Sequence, residues 1–257
     1  MTNLAAAYSA GASAWAGGPA AVYGPLAERL VAFCPVPLAG RLVLDLGTGT
    51  GLAARAAEAA GARVVAADLA IGMLLGDRAR RPPAVAADAL RLPFPTGALD
   101  VVLAAFSLNH LDDPAAGVAE AGRAGRALVA STYAADDGHP AKAAVETALR
   151  EAGWEAPEWQ PRVKTAMAGW GTVEAATAAV EQGGLRPLLV ERHEIAFPGL
   201  GAAGMVAWRL GLAQSAGFVA GLDPPVRRRL VERAIELLGP EPPPVVRRVI
   251  FLAAGAT

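Results

Sequence analysis

The sequence holds a single cysteine, Cys34, in 257 residues. No internal disulfide is available, and the chain reads as a protein of a reducing, cytoplasmic compartment. Histidine occurs only at His110, His139 and His193. With no H-E-x-x-H helix, no cysteine pair and no paired carboxylates of the magnesium-binding kind, no resident metal is expected. Lysine is confined to Lys142 and Lys164 and the formal net charge is −1, which argues against a broad nucleic-acid footprint. No run reaches the roughly 18 apolar residues of a membrane span. The start Met1-Thr2-Asn3-Leu4 lacks a basic region ahead of an apolar one, so no signal peptide is expected. Nothing in the pattern speaks to oligomeric state.

Within these limits the most informative stretch is Val43-Leu44-Asp45-Leu46-Gly47-Thr48-Gly49-Thr50-Gly51. It reads as a buried strand running into a loop of alternating glycines that opens a helix. Glycines let a backbone turn tightly and approach a ligand, and the free N–H groups of the following helical turn supply donors. A dinucleotide fingerprint starting at Gly47 would want a small residue at position 52, where the chain has Leu52. About twenty residues on, Arg63-Val64-Val65-Ala66-Ala67-Asp68 reads as a second strand ending in a carboxylate, placed to accept from the hydroxyls of a ribose. An Asp after a strand is also an ordinary helix cap.

Alternating strands and helices predict a mainly parallel sheet covered on both faces. Strands are read at about 42–46, 63–67, 84–87, 99–105, 126–132, 187–195 and 245–252. Helices are read at about 51–60, 71–80, 114–123 with Asp113 as cap, 172–182 closed by Gly183-Gly184, and 224–238 with Asp223 as cap and a stripe of Val226, Leu230, Ala234, Ile235 and Leu238. The chain divides into a helical leader (1–34), a nucleotide-binding core (35–132), an insertion after the fifth strand (133–171), and the rest of the core (172–257) with a small excursion at about 198–222. The five tryptophans all fall outside the expected sheet core. They form either small cores of the helical additions or an apolar pocket for an aromatic ligand.

The glycine loop, Asp68, Ala87-Asp88-Ala89, and the run Leu99 to Pro114 ending Leu108-Asn109-His110-Leu111-Asp112-Asp113-Pro114 together resemble the class I S-adenosylmethionine (SAM) dependent methyltransferases. The match is to the type 11 small-molecule branch, similar to ubiquinone and menaquinone biosynthesis enzymes, and covers about residues 40–132. The resemblance implies a Rossmann-like seven-stranded α/β sheet, mostly parallel with the last strand antiparallel, carrying a helical N-terminal leader and a lid insertion. It implies SAM as cofactor: Asp45, Gly47, Thr48 and Gly49 around its methionine end, Asp68 at the ribose, Leu69 against the adenine face, Asp88 and Ala89 at the adenine edge, Phe106 beside it, and Tyr8 and Tyr23 closing over it. Met73 matches a hydrophobic position that is also an ordinary core methionine. One departure is the segment Glu120 to Ala130, which lacks the family's Pro-Gly-Gly turn; Gly125 is read as a simpler helix stop.

The activity implied is methyl transfer to a small, hydrophobic or aromatic acceptor in bacterial secondary metabolism, on oxygen, nitrogen or carbon. His110 is the candidate general base; its other reading is a histidine bonded to backbone at a strand-to-helix junction. His139, His193 and Tyr133 are lesser candidates for touching substrate. Two alternatives stand beside this: a SAM-binding protein of the same fold catalysing cyclisation, decarboxylation or hydroxylation, and an NAD(P)-binding oxidoreductase.

Overall fold

The computed structural model describes residues 2–76 and 78–256. Seven strands form one sheet: β1 (Leu42–Leu46), β2 (Arg63–Asp68), β3 (Ala84–Ala86), β4 (Leu99–Ala105), β5 (Gly125–Tyr133), β6 (Leu185–Phe197) and β7 (Val245–Ala256). Their order is β3-β2-β1-β4-β5-β7-β6. The first five pair in parallel and β7 runs antiparallel between β5 and β6. The α/β sheet expected from the sequence is therefore present, and its last strand is the antiparallel one.

Both faces of the central strands are buried, so they alternate in partner rather than in polarity. Leu44, Leu46, Val102, Ala104, Leu128 and Ala130 pack one way, against Val118 and Ala121 of α6 (Pro114–Ala124) and Ala176 and Val180 of α9 (Val173–Gln182). Val43, Val101, Leu103 and Val129 pack the other way, against Val22, Leu26 and Leu30 of α3 (Ala20–Ala32) and Ala57 of α4 (Leu52–Ala59). Asp45 shares the second face but is polar, and it stands where β1 ends. The order of strands reverses across β1 and β4, so their carboxyl ends part and leave a crevice, the usual ligand position in an open α/β sheet.

Helix ends follow local chemistry. Asp113 caps α6 by accepting from the Ala116 N–H at 3.1 Å, with Pro114 in the first turn. Gly61 (φ +85°) follows α4, and Gly183 is followed by Gly184 (φ +76°) after α9. Asp223 precedes α12 (Pro224–Leu238), but its side chain makes no capping bond, against the expectation. The helix expected over 71–80 is α5 (Ile71–Gly76); Arg81 claims the Leu74 carbonyl at 2.7 Å, and residue 77 lies outside the described residues. Gly125 does not stop α6 by a left-handed turn. Its backbone is already extended, and a Cβ there would lie 2.7 Å from Val102.

Three further groups of helices flank the sheet: α1 (Thr2–Ala10) and α2 (Ala12–Gly17) before α3; α7 (Pro140–Glu151) and α8 (Gln160–Ala168) after β5; α10 (Ala202–Leu210) and α11 (Ala213–Ala220) after β6. The tryptophans are less peripheral than expected. Trp170 packs into the core on the α6 and α9 face and Trp208 into the core on the α3 face, while Trp154 anchors a third cluster with Val206 and Leu230. Among the described residues no helix is long and apolar enough to cross a membrane.

Gly47 joins β1 to β4. It has φ +70°, and a Cβ on it would collide with the Ser107 Cβ, while the Ser107 hydroxyl donates to the Leu46 carbonyl at 2.7 Å. Gly47→Ala is expected to destabilise the protein by about 2–4 kcal/mol, the sum of left-handed strain and overpacking. Urea unfolding checks this; a loss under about 0.5 kcal/mol, the level of an ordinary surface change, would contradict it.

Candidate functional site

The crevice at the carboxyl ends of β1, β2 and β4 opens into a cleft walled by the glycine loop, the leader and the turn after β4. The twelve residues assigned in the sequence to the cofactor or to catalysis line it: Tyr8, Tyr23, Asp45, Gly47, Thr48, Gly49, Asp68, Leu69, Asp88, Ala89, Phe106 and His110. Met73, Tyr133, Asn109, Met167 and Trp15 line it too. His139 and His193 do not: His139 caps α7 through the Ala141 N–H at 3.1 Å, and His193 lies on β6 with Nε2 2.9 Å from Glu191.

The loop after β1 is organised by Asp45, which is fully buried. Its Oδ2 accepts from the Thr48 hydroxyl at 2.6 Å and the Ala54 N–H at 2.8 Å, tying the loop and the first turn of α4 to the strand. Its Oδ1 is buried without a partner. Burial raises the Asp45 pKa to about 6, with the Thr48 and Ala54 bonds opposing the rise. Asp68 acts in the same way at the end of the neighbouring strand, β2. Its oxygens accept from the N–H groups of Gly49 and Ala70, each at 2.7 Å, and burial raises its pKa despite those bonds. Asp88 accepts from the Leu90 N–H at 2.9 Å.

Three carboxylates thus face one cleft, and among the described residues no lysine or arginine lines it. Such a cleft favours a cation and offers a pyrophosphate no positive partner.

The opposite wall is aromatic. Tyr8 and Trp15 of the first two helices, Tyr23 of α3, Phe106 after β4 and Tyr133 at the end of β5 form a chain of ring contacts, with centroids 5.8, 4.9, 5.4 and 4.5 Å apart in that order. Phe106 has φ +54°, the one non-glycine among the described residues in that region. Its strain of about 1–3 kcal/mol turns the ring toward Tyr133 and the cleft. Trp15, of the five tryptophans, is the one that lines this cleft.

His110 sits in a single 3-10 turn, Leu108–His110, between β4 and α6. It is not bonded to backbone through its ring, which corrects that reading. Its Nε2 lies 3.1 Å from the Tyr8 hydroxyl, a partner 102 residues away, and its Nδ1 is buried without one. Burial lowers its pKa to about 4, so the ring is neutral at pH 7 and is a weaker base than an exposed imidazole. Ser9 fixes the same leader helix by accepting from the Gly72 N–H at 3.1 Å. Asn109, passed over in the sequence, is buried against the cleft with neither amide atom bonded. Its only signal was its place beside His110.

These shifts oppose each other in stability. His110 binds fewer protons folded than unfolded between pH about 6.5 and about 4, so its contribution is full above 6.5 and is lost as pH falls through that window. Asp45 binds more protons folded than unfolded between about 6 and 3.8, so its ionised form costs stability above pH 6, by roughly 3 kcal/mol in total. Asp45→Asn is therefore expected to stabilise the ligand-free protein by about 1–3 kcal/mol at pH 7.5, an advantage that fades below pH 5. Urea titrations at the two pH values check it; a destabilised variant at pH 7.5 would contradict the cost assigned to the carboxylate.

Comparison with known proteins agrees with this geometry. Residues 44–127 match the methyltransferase domain family of type 11. The chain is 44% identical over 84 residues to the demethylmenaquinone methyltransferase of Mycolicibacterium gilvum, a stretch that covers 33% of this chain and 37% of that protein. It is 40% identical over 87 residues to the enzyme of that name from Corynebacterium kroppenstedtii, covering 34% and 38%. The matches span little more than a third of these relatives' length. Among solved structures, phosphoethanolamine N-methyltransferase 2 of Haemonchus contortus, in complex with SAM, aligns with TM-score 0.54 and 17% identity over 90% of this chain and 52% of that one. The [4+2]-cyclase SpnF aligns with TM-score 0.53 and 17% identity over 91% and 81%. At these identities the structural likeness is one of fold. Strand order, carboxylate-lined cleft and sequence match converge: residues 44–127 are a methyltransferase domain of the SAM-dependent class I family.

Proposed function

We propose that the protein transfers a methyl group from SAM to a small acceptor that enters the cleft beside Tyr133, His110 and Met167. The observation that carries this is the unpartnered, buried Oδ1 of Asp45 in a cleft holding three carboxylates and, among the described residues, no lysine or arginine. The residues suit the cofactor: a buried carboxylate oxygen without a donor matches an ammonium group, and the missing cations match a ligand without phosphate. When bound, SAM supplies an electrophilic methyl on a sulfonium.

The chain's own residues hold and orient. Asp45 accepts from the ammonium while Gly47, Thr48 and Gly49 surround the methionine end; at Gly49, φ +54°, a Cβ would press on the end of Met73 at 3.3 Å. Asp68 keeps lone pairs for the ribose hydroxyls beyond those given to Gly49 and Ala70. Leu69 covers the adenine face, Asp88 and Ala89 its edge, and Phe106 stands alongside. Tyr8 and Tyr23 close the cleft from the leader and exclude water. Alignment in such a closed site supplies up to about 7–11 kcal/mol of the barrier. His110 is the group placed to accept a proton, and with its pKa held at about 4 it does so only from an acidic acceptor. Met167 from the insertion after β5 and the aromatic wall favour an apolar acceptor body.

Calorimetry with SAM, S-adenosylhomocysteine (SAH) and NAD(P), followed by assay of SAH release with phenolic and hydroxyquinone acceptors, tests the reading. SAM binding and stoichiometric SAH release are expected. Tight NAD(P) binding without SAM binding would overturn the cofactor, and SAM binding without SAH release from any acceptor would favour a non-methylating member of the fold. Asp68→Ala is expected to weaken SAM by about 1.5–3 kcal/mol, roughly 10- to 150-fold; unchanged affinity would refute the ribose role.

A further inference from the structure

Behind Tyr133 lies a second group of charges that the cofactor does not use. Arg247 of β7 is buried with its guanidinium 4.1 Å from the Tyr133 ring centre and 4.7 Å from that of Trp208. It pairs with Asp137 at 2.5 Å, and its Nε has no partner. Arg209 of α10 also lies over Trp208, 5.4 Å from the ring centre, with its own Nε buried and unbonded. Among the described residues Asp137 is the acid paired with either guanidinium, and it is paired with Arg247. Glu146, whose charge favours the Arg209 cation, is itself paired with Arg150 at 3.4 Å. The Tyr133 hydroxyl, in the wall of the cleft, is buried and makes no well-formed hydrogen bond, with Tyr23 as its polar neighbour.

An uncompensated positive charge in a desolvated wall is costly unless an anion comes to it. The cost shows in Arg209, whose pKa is lowered by burial and by Arg247 beside it. Tyr133, pushed well up by burial and by Tyr23 in spite of Arg247, stays a hydroxyl and so remains a donor. The Tyr133 ring lies 4.5 Å from that of Phe106, the residue assigned above a place beside the cofactor.

We propose that Arg209 and Arg247, acting through the Tyr133 hydroxyl, make this wall select an acceptor that binds as an oxyanion, the ionised form of an acidic phenol or enol. The cleft is then bipolar: carboxylates hold the cationic cofactor and a cationic wall holds the anionic acceptor. The acceptor's proton stays in solvent before entry, so the weak basicity of His110 ceases to be an obstacle, and His110 serves to position the acceptor. This inference rests on the SAM reading above.

The probe is 4-nitrophenol, whose absorbance separates phenolate from phenol, titrated against SAH-saturated protein. The bound probe is expected to ionise at least one pH unit below its free value, a tenfold or greater preference for the anion. Arg209→Gln should cut that preference below twofold, and Arg209→Lys should retain most of it. A bound probe that stays neutral, a preference that survives in Arg209→Gln, or no binding at millimolar probe would overturn the proposal. The wild-type measurement decides alone should a variant not fold. SAH affinity, measured on the same samples, is expected to be equal in all three proteins; its absence in the wild type would count against the cofactor reading instead.

Discussion

One buried carboxylate organises the functional end of this sheet. Asp45 closes β1, and with a single oxygen it gathers the Thr48 hydroxyl and the Ala54 N–H. That fixes the glycine loop to the strand below and to the helix beyond. The loop in turn presents the Gly49 N–H to Asp68, joining the ends of β1 and β2. What Asp45 does with its second oxygen is nothing within the protein. A group that is half satisfied and fully desolvated is unfavourable by itself, and such a site persists where a ligand completes it. The strained Phe106, the close approach of Gly47 to Ser107 and the leader tyrosine on His110 all surround that unfinished centre.

The wall opposite is complementary. Aromatic rings from the leader, β4 and β5 meet in one continuous surface, and an arginine pair stands behind it. A cleft that is anionic where it touches the loop and cationic behind Tyr133 matches two ligands of opposite charge brought together. Low dielectric between the walls strengthens both attractions.

Much of this was legible in the sequence because it is local. A strand, a glycine loop and a carboxylate lie within ten residues, and Asp68 and Asp88 follow other strands at a regular interval. The seven-stranded, mostly parallel sheet and its antiparallel β7 follow from the resemblance those motifs carry. What was not legible depends on long separations. The Tyr8 to His110 contact spans 102 residues, and no local pattern distinguishes it from a backbone-bonded histidine. Trp170 and Trp208 were read as peripheral because their segments are insertions, yet their rings reach the sheet core. Asp223 has the right residue type ahead of a proline but does not turn its side chain to the helix. Arg209 and Arg247 come from distant elements, and only packing on Trp208 shows them to be a pair.

The central claim is that Asp45 is an incomplete site for a cationic cofactor. If an ammonium group completes it, binding must lower the Asp45 pKa from about 6 and release the proton that the ligand-free protein holds. Titration calorimetry of SAM at pH 6, run in buffers of different ionisation enthalpy, counts that proton directly. Release of about half a proton is predicted. Binding with no proton release, or with uptake, would contradict the account.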